Sequence, residues 1–400
     1  MPTVSSLALE ESIEVDRLIG KIEGSVPGPC LVFFAGIHGN EPAGIFALRH
    51  IFEEIEARSL DIKGTLIGIS GNLWALKRSE RFQKNDLNRL WTEEHVEALE
   101  NDNFEPKNED ERQQKEIFNE LRKITDTHEG PYYFFDLHTT SSETKPFITV
   151  NDSLLNRKYT QQYPIPKILG IEEFLDGPLL SYLNELGYVS FGFEAGQHDT
   201  LASVENHRIF ILLSLLFTGS ANERDFPFND YLKNWIEISS EHQDFYEIYF
   251  QHKIQTGDSF AMEPGYSNFS AIRKGVSIAQ YNGTAIVAKK QAILFMPLYQ
   301  AKGNDGYFLI KKISGFFLAL SAILRQLQID RIFPLLPGVR WSSEKKEAMI
   351  VNLSIARFIA RPFFHLFGYR SRQLDKNHLL IKNREYGAKK HDYRNEKWYH

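Results

Sequence analysis

The chain has 400 residues, 42% of them hydrophobic and 24% charged, with a formal net charge of −6, an ordinary balance for a globular protein long enough for two domains and an appendage. Its one cysteine, Cys30, excludes an intramolecular disulfide and a thiolate metal cluster, so any tightly held metal must take His and carboxylate ligands. No apolar run approaches the ~20 residues of a membrane helix, and Met1–Asp16 shows no basic stretch followed by an apolar one, so a cytoplasmic protein is expected.

Taken in chain order, Leu31-Val32-Phe33-Phe34-Ala35 reads as a buried strand between Pro29 and Gly36, and Ala43 to Ser59 has helical spacing. Gly64–Ser70 is a second buried strand, followed by a polar loop. Residues 100–110 are polar and read as loop; Glu111–Ile124 then places Ile117, Leu121 and Ile124 on one helical face. Tyr132–Leu137 is a third strand, and Tyr188–Phe193 a fourth after a helix near Pro178–Leu186, with helix again over Val204–Leu216. Buried strands alternating with helices predict an α/β domain with a mainly parallel or mixed sheet over 1–228, ending at the polar stretch Asn222–Asn229.

From 229 to 311 short segments separated by glycine turns predict a small β domain, with Asn282-Gly283 as a hairpin turn. Residues 312–400 return to helical spacing, over Phe316–Leu327 and Ala348–Phe363, and predict a mainly helical extension; the last fifteen residues read as a mobile tail. Residues 311–400 hold 18 Lys+Arg against 7 Asp+Glu, a net of +11, whereas the preceding 310 hold 28 against 45, a net of −17. Such a basic tail suits nucleic acid or an anionic surface. It contains no recognisable nucleic-acid module, and its plainest role is to pack on the acidic body.

The chemistry lies at the strand ends, where α/β folds place their sites. The first strand ends in His38 and Glu41, the third in Asp136 and His138, which project on one side of a strand, and the fourth in Glu194. Two histidines and a glutamate form a standard catalytic zinc set, and a further carboxylate is what a metal-activated water needs as proton acceptor. Each piece is common by itself; their combination on different buried strands is the signal. The loop after the second strand adds Arg81, a positive charge for an oxyanion, and the dipeptide Asn88-Arg89, suited to gripping a carboxylate. Asp136 is placed to orient a ligand from behind.

Gly36-Ile37-His38-Gly39-Asn40-Glu41-Pro42, Gly71-Asn72, Asp86-Leu87-Asn88-Arg89, Asp136-Leu137-His138 and Phe193-Glu194-Ala195-Gly196 resemble the successive signatures of the succinylglutamate desuccinylase/aspartoacylase family, a branch of the zinc carboxypeptidase superfamily. The resemblance runs from about residue 30 to 310 and includes Met296-Pro297-Leu298-Tyr299. It implies a zinc carboxypeptidase-like domain with a smaller β domain over the site, and one Zn2+ per chain on His38, Glu41 and His138. It further implies Glu194 as general base and later acid, Arg81 as carbonyl polariser, Asn88 and Arg89 as carboxylate clamp, and Tyr299 as a substrate-contacting tyrosine. One departure stands out: aspartoacylases acting on an acidic side chain carry an arginine about ten residues before the base, whereas Leu179–Phe193 contains no Lys or Arg. A neutral or apolar amino-acid portion is therefore expected.

The expected function is zinc-dependent hydrolysis of the amide bond of a small N-acyl amino acid or related carboxylate. The partner is then a small molecule; no nucleic acid or membrane partner is expected, and the oligomeric state is open. The alternatives are a zinc carboxypeptidase acting on peptides and a non-catalytic binding protein of the same fold.

Overall fold

A computed structural model describes residues 1–101, 103–239, 242–344, 346–356 and 361–400. Eleven strands form one mixed sheet. In chain order they are β1 (Leu18–Glu23), β2 (Val26–Ala35), β3 (Lys63–Ser70), β4 (Tyr132–Thr140), β5 (Phe147–Val150), β6 (Lys167–Leu169), β7 (Val189–Gln197), β8 (Phe245–Lys253), β9 (Ala271–Ile272), β10 (Ala292–Phe295) and β11 (Asp305–Lys312). Across the sheet the order is β9-β10-β11-β8-β6-β5-β7-β4-β2-β3-β1. At its centre β3, β2, β4 and β7 run parallel, and β5 enters antiparallel beside β7.

These strands read as continuous apolar runs because helices cover both faces. Alternate side chains point to opposite sides. Leu31, Phe33, Tyr133, Phe135, Phe191 and Phe193 enter one core, under α1 (Ala43–Ala57) and the later helix Leu201–Phe217. Val32, Phe34, Tyr132 and Phe134 enter the other. That second core is closed by α2 (Glu109–Thr127), through Ile117, Phe118, Leu121 and Ile124, and by α3 (Leu179–Glu185), through Leu179 and Leu183. Register then fixes the site: Ala35 lies opposite Leu137, and His138 opposite Glu194.

Strands β8 to β11 continue the central sheet beyond β6, while Phe260–Met262, Ser277–Tyr281 and Thr284–Val287 make a separate three-stranded sheet. Its hairpin turns at Asn282-Gly283, both at positive φ (49° and 74°), which those residue types tolerate.

The last ninety residues differ from the helical expectation. Gly315–Gln326 is a helix, α4 in this numbering, but Val339–Trp341, Ala348–Asn352, Tyr369–Asp375 and His378–Asn383 form a four-stranded antiparallel sheet. The stretch 348–363, expected to be helical, begins as a strand with Met349 and Val351 fully buried, and Arg361–Leu366 is helix; residues 357–360 lie outside those described. A short apolar run such as Ala-Met-Ile-Val carries no period that separates strand from helix, and here pairing with 378–383 decides. The expected mobile tail is also docked. Tyr393 is fully buried, with its ring 5.4 Å from that of Tyr133. Its hydroxyl accepts the Val189 amide at 2.9 Å, and the Trp398 indole donates to the Tyr133 hydroxyl at 2.9 Å. Aromatic surface outweighs the polar residues around it.

The extension is tied to the body by buried ion pairs. Arg325 reaches the Asp152 carboxylate at 2.8 Å, and Arg384 reaches Glu172 at 2.7 Å.

Candidate active site

After β2 the chain turns sharply through Gly36, at φ 71°, and Gly39, where an added Cβ would lie 2.1 Å from the Ala75 carbonyl carbon. Only glycine fits both positions. The turn presents His38 and Glu41 just before α1 begins. β4 brings His138 and β7 brings Glu194 to the same level.

The Glu41 carboxylate sits between the two imidazoles. His38 Nδ1 lies 2.9 Å from one of its oxygens, and His138 Nδ1 lies 3.0 Å from the other. One donor atom from each of the three residues falls within 4.8 Å of the others, and all three residues are buried. The far nitrogens are each held by a carboxylate: His38 Nε2 by Asp86 at 3.0 Å and His138 Nε2 by Asp136 at 2.7 Å. Such partners fix the tautomer and aim Nδ1 forward.

This is a site with surplus negative charge. Asp136 and Glu41 hold the His138 pKa well above its usual value even against burial. The Glu41 and Asp86 carboxyls stay well below the usual range although burial opposes it, Glu41 because of His38 and His138, Asp86 because of His38 and Arg81. Glu194 goes the other way: burial pushes it up to about 8, helped by Glu41 and Asp136 and opposed by His138 and Arg81. One of its oxygens is buried without a hydrogen-bond partner. Four carboxylates around two imidazoles suit a small dication, and a buried His2Glu donor set with carboxylate-backed rings is chemistry that zinc accepts.

Arg81 bridges Glu41 and Asp86 at 3.2 Å each, and its buried Nε has no partner. The loop carrying Arg81 and Asp86 is itself pinned: the fully buried Asp110 accepts the amides of Gln83, Lys84 and Asn85 at 3.1, 2.7 and 2.9 Å. Asp110 lies in the stretch read from sequence as loop. Sequence alone assigns neither it nor Asp86 a site role: unlike Asp136, two residues before His138 on one strand, each lies far along the chain from the group it supports.

The two halves of the expected clamp part ways. Asn88 lines the cavity but its amide is engaged by the protein, the nitrogen 3.3 Å from Asp136 and from His138 Nε2 and the oxygen accepting the Leu179 amide at 2.9 Å. Arg89 faces the cavity, where its guanidinium meets Asp305 at 3.3 Å. Tyr299 does not reach the cavity. It is 40% exposed, and its hydroxyl donates to the Glu263 carbonyl at 2.7 Å. The next residue, Gln300, lines the cavity instead, accepting from Asn40 and facing His198.

The cavity lies over His38, Glu41, His138 and Glu194. Among the described residues lining it, Arg81 and Arg89 are the only guanidinium or ammonium groups, and Ile171, Leu175, Leu180, Met296, Leu298 and Phe308 give it an apolar wall.

Residues 27–203 match the model of the succinylglutamate desuccinylase/aspartoacylase catalytic domain. The succinylglutamate desuccinylase of Pseudomonas aeruginosa is 26% identical over 253 residues, covering 60% of this chain and 73% of that protein. The Photorhabdus laumondii enzyme of the same name is 39% identical over 61 residues, covering 15% and 19%. Among solved structures, succinylglutamate desuccinylase from Vibrio cholerae superposes with a TM-score of 0.51 at 18% identity, covering 74% of this chain and 85% of that one. An aspartoacylase family protein from Mesorhizobium loti gives 0.52 at 16%, covering 78% and 93%. At these identities the structural likeness speaks for the fold.

Proposed function

This chain belongs to the succinylglutamate desuccinylase/aspartoacylase family of deacylases, and from that premise we propose that it is a zinc-dependent amidohydrolase that releases the amine from a small N-acyl amino acid carrying a single carboxylate. The observation that supports this best is the closed cluster of His38, Glu41 and His138 beneath a cavity into which Glu194 and Arg89 also face.

His38 Nδ1, His138 Nδ1 and the Glu41 carboxylate would hold the metal. Zinc there supplies Lewis-acid polarisation and brings the pKa of a water from ~15.7 towards ~7. Glu194 takes the proton of the water that attacks the acyl carbon; its raised pKa suits a group that must both accept and return a proton near neutrality. Arg81, with its unpartnered Nε, offers a donor to the negative charge that grows on the carbonyl oxygen. As the C–O bond forms and the C–N bond breaks, Glu194 passes its proton to the departing nitrogen. The products are the acyl carboxylate and the free amino acid.

Arg89 holds the substrate carboxylate, and Asn88 positions Arg89 through its backbone carbonyl, 2.9 Å from the guanidinium. The apolar wall and the lack of a further cation among the lining residues support a neutral side chain on the amino acid. Tyr299 takes no direct part in this reading; Gln300 replaces it at the cavity edge.

The test is metal content together with amine release from three substrate sets: N-acyl neutral amino acids, N-acyl aspartate and glutamate, and peptides. Chelator-sensitive release from the first set is expected. Preference for peptides would make the protein a carboxypeptidase, and a metal-loaded protein inert on all three would leave a binding protein of the same fold.

A further inference from the structure

Helix α4 (Gly315–Gln326) carries apolar residues on two sides: Leu318 and Leu324 pack against buried clusters, and a second stripe is left to solvent. Its inward side carries polar groups: the Ser321 hydroxyl donates to the Leu366 carbonyl at 2.7 Å, and Arg325 reaches Asp152 and Glu385. These two residues are only 3% and 6% exposed. The opposite stripe is apolar, with Phe316, Ile323 and Leu327 at positions i, i+7 and i+11 exposed by 70, 53 and 66%. The turn that follows, Ile329–Leu335, adds Ile332 and Leu335, exposed by 55 and 83%. A helix that merely covers a core leaves its outer face polar, and exposed apolar surface of this kind marks a contact site.

We propose that this face of the extension docks on an anionic lipid surface, with α4 lying in the plane of the headgroups. Twelve residues make a rod of ~18 Å, and a convex apolar stripe suits shallow insertion at the headgroup–acyl boundary. Charge selects the occupant. Between residues 311 and 343 the one acid is Asp330, which accepts the Tyr369 hydroxyl at 2.6 Å. Lys311, Lys312, Arg331 and Arg340 are all exposed there. Lys311 and Lys312 pair with Glu247 and Asp244 in open solvent, contacts weak enough for lipid phosphates to replace. No membrane-crossing helix is required, and no described helix is long and apolar enough to be one.

A second copy of the chain fits less well. A two-fold contact through this face would bring together the exposed Lys311, Lys312, Arg331 and Arg340 of two copies. A contact between this face and the acidic body of another copy would be heterologous and build a ring or a filament, not a dimer. On a lipid surface the exposed cations Lys311, Lys312, Arg331 and Arg340 would instead meet headgroup phosphates.

The experiment is co-sedimentation of the full chain with phosphatidylcholine vesicles, with and without phosphatidylglycerol, at low and high salt. Binding to the phosphatidylglycerol vesicles at low salt is expected, more than about ten-fold above that to phosphatidylcholine alone. It should be lost in the triple variant Phe316→Ser, Ile323→Ser, Leu327→Ser and reduced in Arg331→Gln, Arg340→Gln. All these side chains face solvent, so an unchanged melting temperature and circular dichroism spectrum verify that the variants stay folded. Failure of the wild type to sediment with the anionic vesicles overturns the proposal, as does equal binding by the triple variant or binding that ignores both lipid charge and salt. A concentration-dependent dimer that the triple variant abolishes, without vesicle binding, would assign the face to a second copy.

Discussion

Asp305, on β11, lies 3.3 Å from Arg89, on the loop after β3, and its other oxygen accepts Gln251 at 2.6 Å. The arginine proposed to hold the substrate carboxylate is therefore already faced by a carboxylate of the protein. Arg89→Ala should raise KM about 10–100-fold for an N-acyl neutral amino acid while moving kcat little, the effect of losing a charge-assisted hydrogen bond of ~1.5–3 kcal/mol. Asp305→Asn should lower KM for the same substrate and improve N-acyl aspartate relative to it. Steady-state kinetics of both variants checks this, and an unchanged KM in Arg89→Ala removes the clamp.

Glu194→Gln should reduce kcat by ~10²–10⁴ while metal content stays near one per chain. With Glu194 as the proposed base, the basic form is the active one in the wild type. The acid limb of kcat/KM should therefore fall between the ordinary carboxyl value of 4.5 and about 8, nearer the lower end the more strongly a bound dication stabilises the carboxylate. A limb of the same position and height in Glu194→Gln would assign the base elsewhere.

His138→Ala should abolish zinc binding. Asp136→Asn and Asp86→Asn, which disturb only the carboxylates behind the two rings, should weaken it ~10–100-fold. Metal titration against a competing chelator separates the two effects. Full affinity in Asp136→Asn would leave that acid a purely structural role.

Asp110→Ala should retain zinc yet lose activity, because the Gln83, Lys84 and Asn85 amides lose their acceptor and the segment bearing Arg81 and Asp86 loosens. These amides are only partly buried, so water can replace part of what is lost and the variant should stay folded. Hydrogen exchange at residues 83–85, faster in the variant, is the direct readout.

Acid should unfold the protein in two stages. His207 is fully buried and pushed down to about 3 by burial, so its neutral form contributes stability above the ordinary value of 6.5 that is lost as the pH falls from there towards 3. Asp152 is held well below its ordinary 3.8, with Arg157, Arg325 and Arg384 overcoming its burial, so its contribution is present above that value and is lost only at lower pH. Urea unfolding against pH should show the upper stage vanish in His207→Leu. Arg325→Ala, which strips one cation from the buried Asp152, should cost ~3–5 kcal/mol at neutral pH.

Much of the molecule was written locally. The buried strands Leu31–Ala35, Gly64–Ser70 and Tyr132–Leu137 lie within observed strands, and Tyr188–Phe193 does so from Val189 on, because an apolar run bounded by breakers admits few other conformations. His38, Glu41, His138 and Glu194 were legible for the same reason: strand ends in a parallel sheet share one edge, so register delivers them to one point. Sequence by itself also located the basic extension, since charge is additive and needs no fold.

Tertiary structure decided what depends on pairing across long separations. Whether Ala348–Asn352 became strand rested on a partner at 378–383, and the docking of Tyr393 and Trp398 rested on Tyr133, some 260 residues earlier in the chain. The direction of Asn88, the distance of Tyr299 from the cavity and the facing of Arg89 by Asp305 are likewise set by neighbours that no local pattern names. A residue type limits which contacts a side chain can make; packing selects the one it does make.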